Sequence, residues 1–115
     1  MLVDLHTHTS ASDGELAPLA VLEMQSAAGV GLTAFTDHDT LEGWDRIAAM
    51  ATPATAAVRL LPGIEFSVDA AGREIHVVGL GFDPAHPAIR AGVASQQVRR
   101  RARGERIAAR LEYLG

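Results

Sequence analysis

Apolar residues in this chain come in short solid runs separated by stretches of helical spacing. MLVDL, residues 1–5, reads as a short buried strand. APLAVLEMQSAAG, residues 17–29, predicts a helix, with Pro18 in its first turn and Gly29 where a helix end favours a left-handed residue. LTAFT, residues 32–36, is a second strand. Thr40 can cap a further helix on which Trp44, Ile47, Ala48 and Met50 recur near helical spacing. RLLPGIEFSV, residues 59–68, reads as a third strand with a kink or bulge at Pro62 and Gly63. DAAGR is a turn, and EIHVVGLGF, residues 74–82, is a fourth strand. DPAHP interrupts the pattern before a long Arg-rich helix over about residues 86–114. Strand and helix alternating at this spacing predict a parallel α/β arrangement, with strands three and four as a hairpin.

Composition bounds this picture. The 115 residues suffice for one compact domain, and about half are apolar, but only five are aromatic, so Ala, Val, Leu and Ile must do most of the packing. No apolar stretch is long enough to span a membrane, and the first residues lack the basic and apolar regions of an export signal. No cysteine is present, which excludes disulfides and thiolate metal sites and makes the cytoplasm the expected compartment. The net charge of −4 conceals an asymmetry: every basic residue is Arg, and six of the ten fall within residues 99–115. The acidic remainder is a poor surface for double-stranded nucleic acid and a reasonable one for cations.

The chemistry-bearing residues fall at the predicted strand ends. His6 and His8 follow strand one; Asp37, His38 and Asp39 follow strand two; Glu65 lies in strand three, and His76 sits early in strand four. In an extended segment His-x-His points both imidazoles to one face, a natural clamp for a divalent cation. Carboxylates such as Asp13 and Glu65 can bridge two cations and offset their repulsion. Imidazole and carboxylate without sulfur suit Mn, Fe or Zn. Four histidines and two carboxylates exceed the needs of a single ion, so two or three divalent metals are expected. His86 is read as an ordinary helix-start histidine, and Asp39 mostly as a helix cap. Asp37 is open between direct ligand and partner of a ligating His, with the latter favoured. Asp4 is left unassigned.

DLHTHTSASDG, AFTDHDT, LPGIEFS and IHVVGLGF, in this order and spacing, resemble the opening motifs of the PHP (polymerase and histidinol phosphatase) family of metal-dependent phosphoesterases. The resemblance covers roughly residues 2–83 and is greatest to the nucleotide-processing branch. It implies metal ligation by His6, His8, Asp13, His38, Glu65 and His76, with Glu65 bridging and Mn the favoured ion. The implied fold is the amino-terminal portion of a distorted seven-stranded β/α barrel over residues 1–83, followed by the start of an inserted helical segment over 84–115. No His follows His86 and no Asp follows Asp83, whereas the family adds further ligands beyond this point, so the chain reads as part of a longer enzyme.

The implied reaction is hydrolysis of a phosphate ester of a small nucleotide, such as a 3′,5′-bisphosphate, or of short RNA by metal-activated water. Ser10, Ser12 and Ser67 lack a convincing base partner, so no side-chain nucleophile is assigned. A histidinol-phosphate-type monophosphatase is one alternative, and a PHP module serving a polymerase as a structural or proofreading part is another. The Arg stripe of Arg99, Arg103, Arg106 and Arg110 reads first as a solvated helix face. Its functional reading places Arg100 and Arg103 on a second substrate phosphate, which a guanidinium can grip with two hydrogen bonds. The expected partner is a small phosphorylated substrate, with no membrane and no double-stranded nucleic acid.

Overall fold

A computed structural model describes residues 1–115. Nine elements follow in order: β1 (Leu2–Thr7), α1 (Pro18–Ala27), β2 (Val30–Phe35), α2 (Glu42–Ala48), α3 (Pro53–Ala57), β3 (Arg59–Leu61), β4 (Gly63–Ala70), β5 (Arg73–Leu80) and α4 (Pro87–Leu114). Strands β1, β2 and β3 form a parallel sheet in that order, and β4 pairs with β5 as an antiparallel hairpin. The α/β class and the hairpin agree with the sequence reading. No helix is long and apolar enough to cross a membrane.

The expected third strand is two strands in different sheets. At Pro62 the backbone leaves β2's side, and Gly63 passes so close to β2 that a Cβ there would sit 2.8 Å from the Phe35 carbonyl oxygen. Only glycine fits that approach, so the predicted kink is a complete change of partner. The hairpin turn places Ala71 and Gly72 at φ of 51° and 77°, the two positive values that a two-residue turn of matching twist demands. α3 was not expected from the Ala-rich segment around residues 48–57. It starts on a reciprocal cap in which the Thr52 and Thr55 side chains each accept from the other's backbone N–H.

Two small cores hold the elements together. Leu22 and Val21 of α1, Phe35 of β2, Ile47 of α2, Ala54 of α3 and Val58 form one cluster. Leu41, Ile64 and Val93 form the second, which seats the first turns of α4 against β4. His86 caps α4 by accepting from the Ala88 N–H at 3.1 Å, in accord with its structural reading. The two sheets meet at an isolated parallel bridge between His38 and Glu65, and the carboxyl ends of β1 and β2 open beside it.

Candidate metal centre

The six predicted ligands reach the site from several local structures. β1 continues to Thr7, two residues beyond the expected strand, and His6 and His8 leave it on one face with rings stacked 5.4 Å apart and 12° from parallel. The chain then turns back on itself: the Thr9 carbonyl accepts from Ser12 N at 3.1 Å and from Gly14 N at 2.9 Å. A Cβ on Gly14 would lie 2.6 Å from the His8 carbonyl oxygen, so the loop closes only with glycine there. This turn returns Asp13 to His8, with Oδ1 2.7 Å from Nδ1. The His8 hydrogen bond holds the Asp13 carboxyl below its usual range, against a smaller opposing effect of burial; the charges of His38 and His8 act in the same direction as the bond.

Glu65 sits at the centre. Its side chain is 8% exposed, and its Oε1 lies 3.4 Å from His6 Nε2. Its Oε2 lies 3.3 Å from His8 Nε2, 3.0 Å from His38 Nδ1 and 3.7 Å from His76 Nδ1. The His38 ring stands edge-on to His8 at 4.4 Å and to His76 at 5.3 Å. His76 faces Ser67 across the hairpin, so the antiparallel run of β5 brings its start to this rim.

The donors form three overlapping groups, each with its atoms within 4.8 Å of one another: His6, His8 and Glu65; His8, Asp13 and His38; His38, Glu65 and His76. His8, His38 and Glu65 each belong to two groups. Donors held about 2.1 Å from one ion stand roughly 3.0 Å apart on an octahedral edge and roughly 3.4 Å apart on a tetrahedral one. The 3.4, 3.3, 3.1 and 3.0 Å separations that link His6, His8, Asp13, His38 and Glu65 fall in that interval. His38 Nδ1 is buried and makes no hydrogen bond, although Glu65 Oε2 is 3.0 Å away. A buried nitrogen left without a hydrogen bond beside a carboxylate is costly unless a cation completes it, so the residues present fit divalent metals.

Two aspartates of the same segment do other work than expected. Asp37 touches no imidazole. Its buried carboxylate accepts from Thr9 N at 2.6 Å, Thr9 Oγ1 at 2.8 Å and Ser12 Oγ at 2.7 Å, so it ties down the turn that carries Asp13. Asp39 does not cap α2; Thr40 Oγ1 accepts from Glu42 N instead. The Asp39 carboxylate is fully buried and accepts from Ser67 N, Gln96 Nε2 and Arg100 Nη1 at 3.0, 3.1 and 3.0 Å. Asp4 binds Thr7 Oγ1 at 2.6 Å and Gln25 Nε2 at 3.0 Å, joining β1 to α1. Burial pushes the Asp4 carboxyl upward, but its hydrogen bonds from Thr7, the His6 backbone and Gln25 outweigh that and leave it lowered.

The cationic helix borders this centre. A cleft of about 510 Å³ runs from Asp13 and His38 to Gln97, Arg100 and Arg101. A second, of about 400 Å³, lies between β4 and α4 and is lined by Asp39, Ser67, Glu74 and four arginines, Arg100 and Arg103 among them. Arg103 Nη1 rests 3.2 Å from Glu74 Oε1, and that same oxygen lies 3.7 Å from His76 Nε2.

No family model matches the chain. Over 112 residues it is 44% identical to the 5′-3′ exoribonuclease Rnm of Salmonella typhimurium, an alignment that covers 97% of this chain and 38% of the relative. Over 113 residues it is 41% identical to a 3′,5′-nucleoside bisphosphate phosphatase of Chromobacterium violaceum, covering 98% and 39%. The chain thus spans about two-fifths of the length of these relatives. Among solved structures, an amidohydrolase from Chromobacterium violaceum with bound sulfate superimposes with a TM-score of 0.85 at 39% identity, over 100% of this chain and 40% of that one. A protein from Bifidobacterium adolescentis described as a metal-dependent phosphoesterase superimposes at 0.82 with 29% identity, over 96% and 38%. The fold, the ordered motifs and these likenesses agree: over nearly its whole length the chain is similar to part of an exoribonuclease, a bisphosphate phosphatase and a metal-dependent phosphoesterase, in line with the resemblance to the PHP family.

Proposed function

We propose that the protein carrying this chain hydrolyses a phosphate ester of a small nucleotide bearing two phosphates, or of short RNA, with two or three divalent ions, Mn first and Fe or Zn next, held by His6, His8, Asp13, His38, Glu65 and His76. The observation that carries this reading is the sharing of His8, His38 and Glu65 among three donor groups, since one ion would not need such overlap. The names of the relatives, an exoribonuclease and a bisphosphate phosphatase, support a nucleotide substrate. When bound, such ions supply neutralisation of the phosphate oxygens and a water acidic enough to ionise near neutral pH.

The chain's own residues divide the remaining tasks. Glu65 sets one oxygen toward His6 and the other toward His8, His38 and His76, the disposition of a bridging carboxylate. Asp37 and Gly14 fix the turn that aims Asp13 into the centre. Residues 84–115, the start of an inserted helical segment in this reading, bring Arg100 and Arg103 to the clefts beside the ligands, where they would take the substrate's second phosphate.

The test is phosphate release by the manganese-loaded protein from a nucleoside 3′,5′-bisphosphate, a nucleoside monophosphate, histidinol phosphate and a short 5′-phosphorylated RNA. Turnover should favour the bisphosphate or the RNA and vanish with chelator. Preference for histidinol phosphate would contradict the reading. In the same assay Arg103→Ala should raise KM for the bisphosphate more than for the monophosphate, and equal effects would remove the second-phosphate contact.

A further inference from the structure

Asp39 is a buried charge with a left-handed backbone, φ 53°, placed between the donor His38 and the helix Glu42–Ala48. Both features cost free energy, and neither is spent on a metal or on a helix cap. Its backbone N–H donates to the Glu65 carbonyl at 3.0 Å, and its own carbonyl accepts from Gln97 Nε2 at 3.4 Å. Its carboxylate gathers donors from two other elements, Ser67 N on β4 and Gln96 and Arg100 on α4. Gln96 Nε2 also donates to the Ser67 carbonyl, so β4 and α4 are clamped around this one side chain.

The asymmetry of the Asp39–Arg100 pair shows what the clamp achieves. Asp39 is fully buried, whereas the Arg100 side chain is 52% exposed. Only one guanidinium nitrogen, Nη1, is engaged with Asp39, which leaves the other N–H groups of the five-donor fork free. Arg100 alone among the arginines lines both clefts beside the metal centre. A free arginine on a helix face surrenders much rotamer freedom when it grips an anion; one already held by a buried carboxylate surrenders less. Arg101 in one cleft and Arg103 and Arg106 in the other keep the surroundings cationic despite the pairing.

We infer that Asp39 is a positioning residue: it holds Arg100 at the wall between the two clefts so that the guanidinium meets the phosphate of a bound nucleotide that lies away from the metals. This rests on the nucleotide reading above. Asp39 then governs substrate binding through Arg100 and leaves the metal-held phosphate to the six donors.

The test is a cycle of Asp39→Asn, Arg100→Ala and the double variant in the manganese-loaded protein, followed through KM, kcat, manganese content and Tm. Asn is the informative replacement because it tolerates positive φ and keeps an acceptor for Ser67 N. Each single variant should raise KM for a nucleoside 3′,5′-bisphosphate about tenfold with kcat changed less than about threefold, at a cost near 1.4 kcal/mol in binding. Manganese content should stay at the wild-type value, and the double variant should bind no worse than Arg100→Ala alone. A raised KM in Arg100→Ala with a normal one in Asp39→Asn overturns the positioning role and leaves the nucleotide reading standing. A normal KM in Arg100→Ala overturns the role of Arg100 itself. Loss of manganese in Asp39→Asn, or additive effects in the double variant, overturns the inference in favour of a purely architectural Asp39. Should Asp39→Asn fail to fold, Arg100→Lys decides: it keeps the charge and reaches Asp39 but lacks the fork. Its KM should rise severalfold at unchanged Tm, and a wild-type KM would overturn the inference.

Discussion

His38 and Glu65 meet twice, bonded through the backbone and brought close, without a hydrogen bond, at their side chains. Their parallel bridge, with Glu65 N bound to the Asp37 carbonyl at 3.1 Å and Asp39 N to the Glu65 carbonyl at 3.0 Å, is where the β1–β2–β3 sheet meets the β4–β5 hairpin. At the same point His38 Nδ1 stands 3.0 Å from Glu65 Oε2. The seam between the sheets and the densest part of the donor cluster are one place, so whatever holds the donors together also closes the fold.

Glu65→Gln preserves shape and the backbone bridge but removes the charge that faces four imidazoles. Manganese content, read by elemental analysis, should fall by at least one ion per chain, and turnover should fall by about 100-fold or more, beyond what loss of an outer-shell partner costs. Full manganese content in this variant would count against a bridging role.

Asp37→Ala should be costly although Asp37 meets no donor imidazole. Thr9 N, Thr9 Oγ1 and Ser12 Oγ would lose their acceptor, and Thr9 is fully buried. The expected destabilisation is about 3 kcal/mol, measured by urea unfolding, with weaker manganese binding as the turn carrying Asp13 loosens. Stability within about 0.5 kcal/mol of wild type would show that the turn holds itself.

Gly43→Ala should reverse the ordinary helix rule. In an open helix the change is worth about 1 kcal/mol of stabilisation. Here the new Cβ would stand 2.8 Å from Asp37 Oδ2 and 3.3 Å from Thr9 Oγ1, both part of the network that fixes the turn. A drop of about 1–2 kcal/mol is expected from the crowding, seen as a lower Tm; a rise would contradict the closeness of α2 to Asp37.

The Asp45–Arg90 pair ties α2 to α4 through two parallel hydrogen bonds of 2.8 Å. Arg90 beside it holds the Asp45 carboxyl below its ordinary value of 3.8, with burial opposing. The pair's contribution is therefore present above that value and is lost as pH falls through the lowered one. Both side chains are more than a third exposed, so solvent screening limits the contribution to about 1 kcal/mol or less. Asp45→Asn should lower stability by that amount at pH 7, and the gap to wild type should close in the acid range below 3.8. A gap that widens on acidification would contradict the assignment.

The convergence of the donor residues on one rim was legible because most of them fall at the ends of predicted strands. His-x-His at a strand end and the Asp-His-Asp that follows the second strand declare themselves within a few residues. What escaped was non-local. Asp37 finds its partners 25 and 28 residues earlier in the chain, and Asp39 finds its own up to 61 residues later. Nothing in TDHD itself separates those roles from a cap or a ligand partner. The break at Pro62 and Gly63 was visible as a kink, but the change of sheet depends on the close passage against Phe35, which only the fold creates. α3 was hidden because its five residues are too few for a helical period, although Thr52 and Thr55 carried the capping signal. The importance of Gly14 and Gly43 lies in what a Cβ would strike, which the fold alone creates.

Crystals of the protein grown with manganese and measured at the manganese absorption edge would test the donor cluster most directly. At least two anomalous peaks should appear, each within about 2.3 Å of imidazole or carboxylate atoms, with Glu65 touching two of them and His8 or His38 completing each set. A single peak that leaves Glu65 untouched, or peaks bound only at the arginine-lined clefts or elsewhere on the surface, would contradict the account.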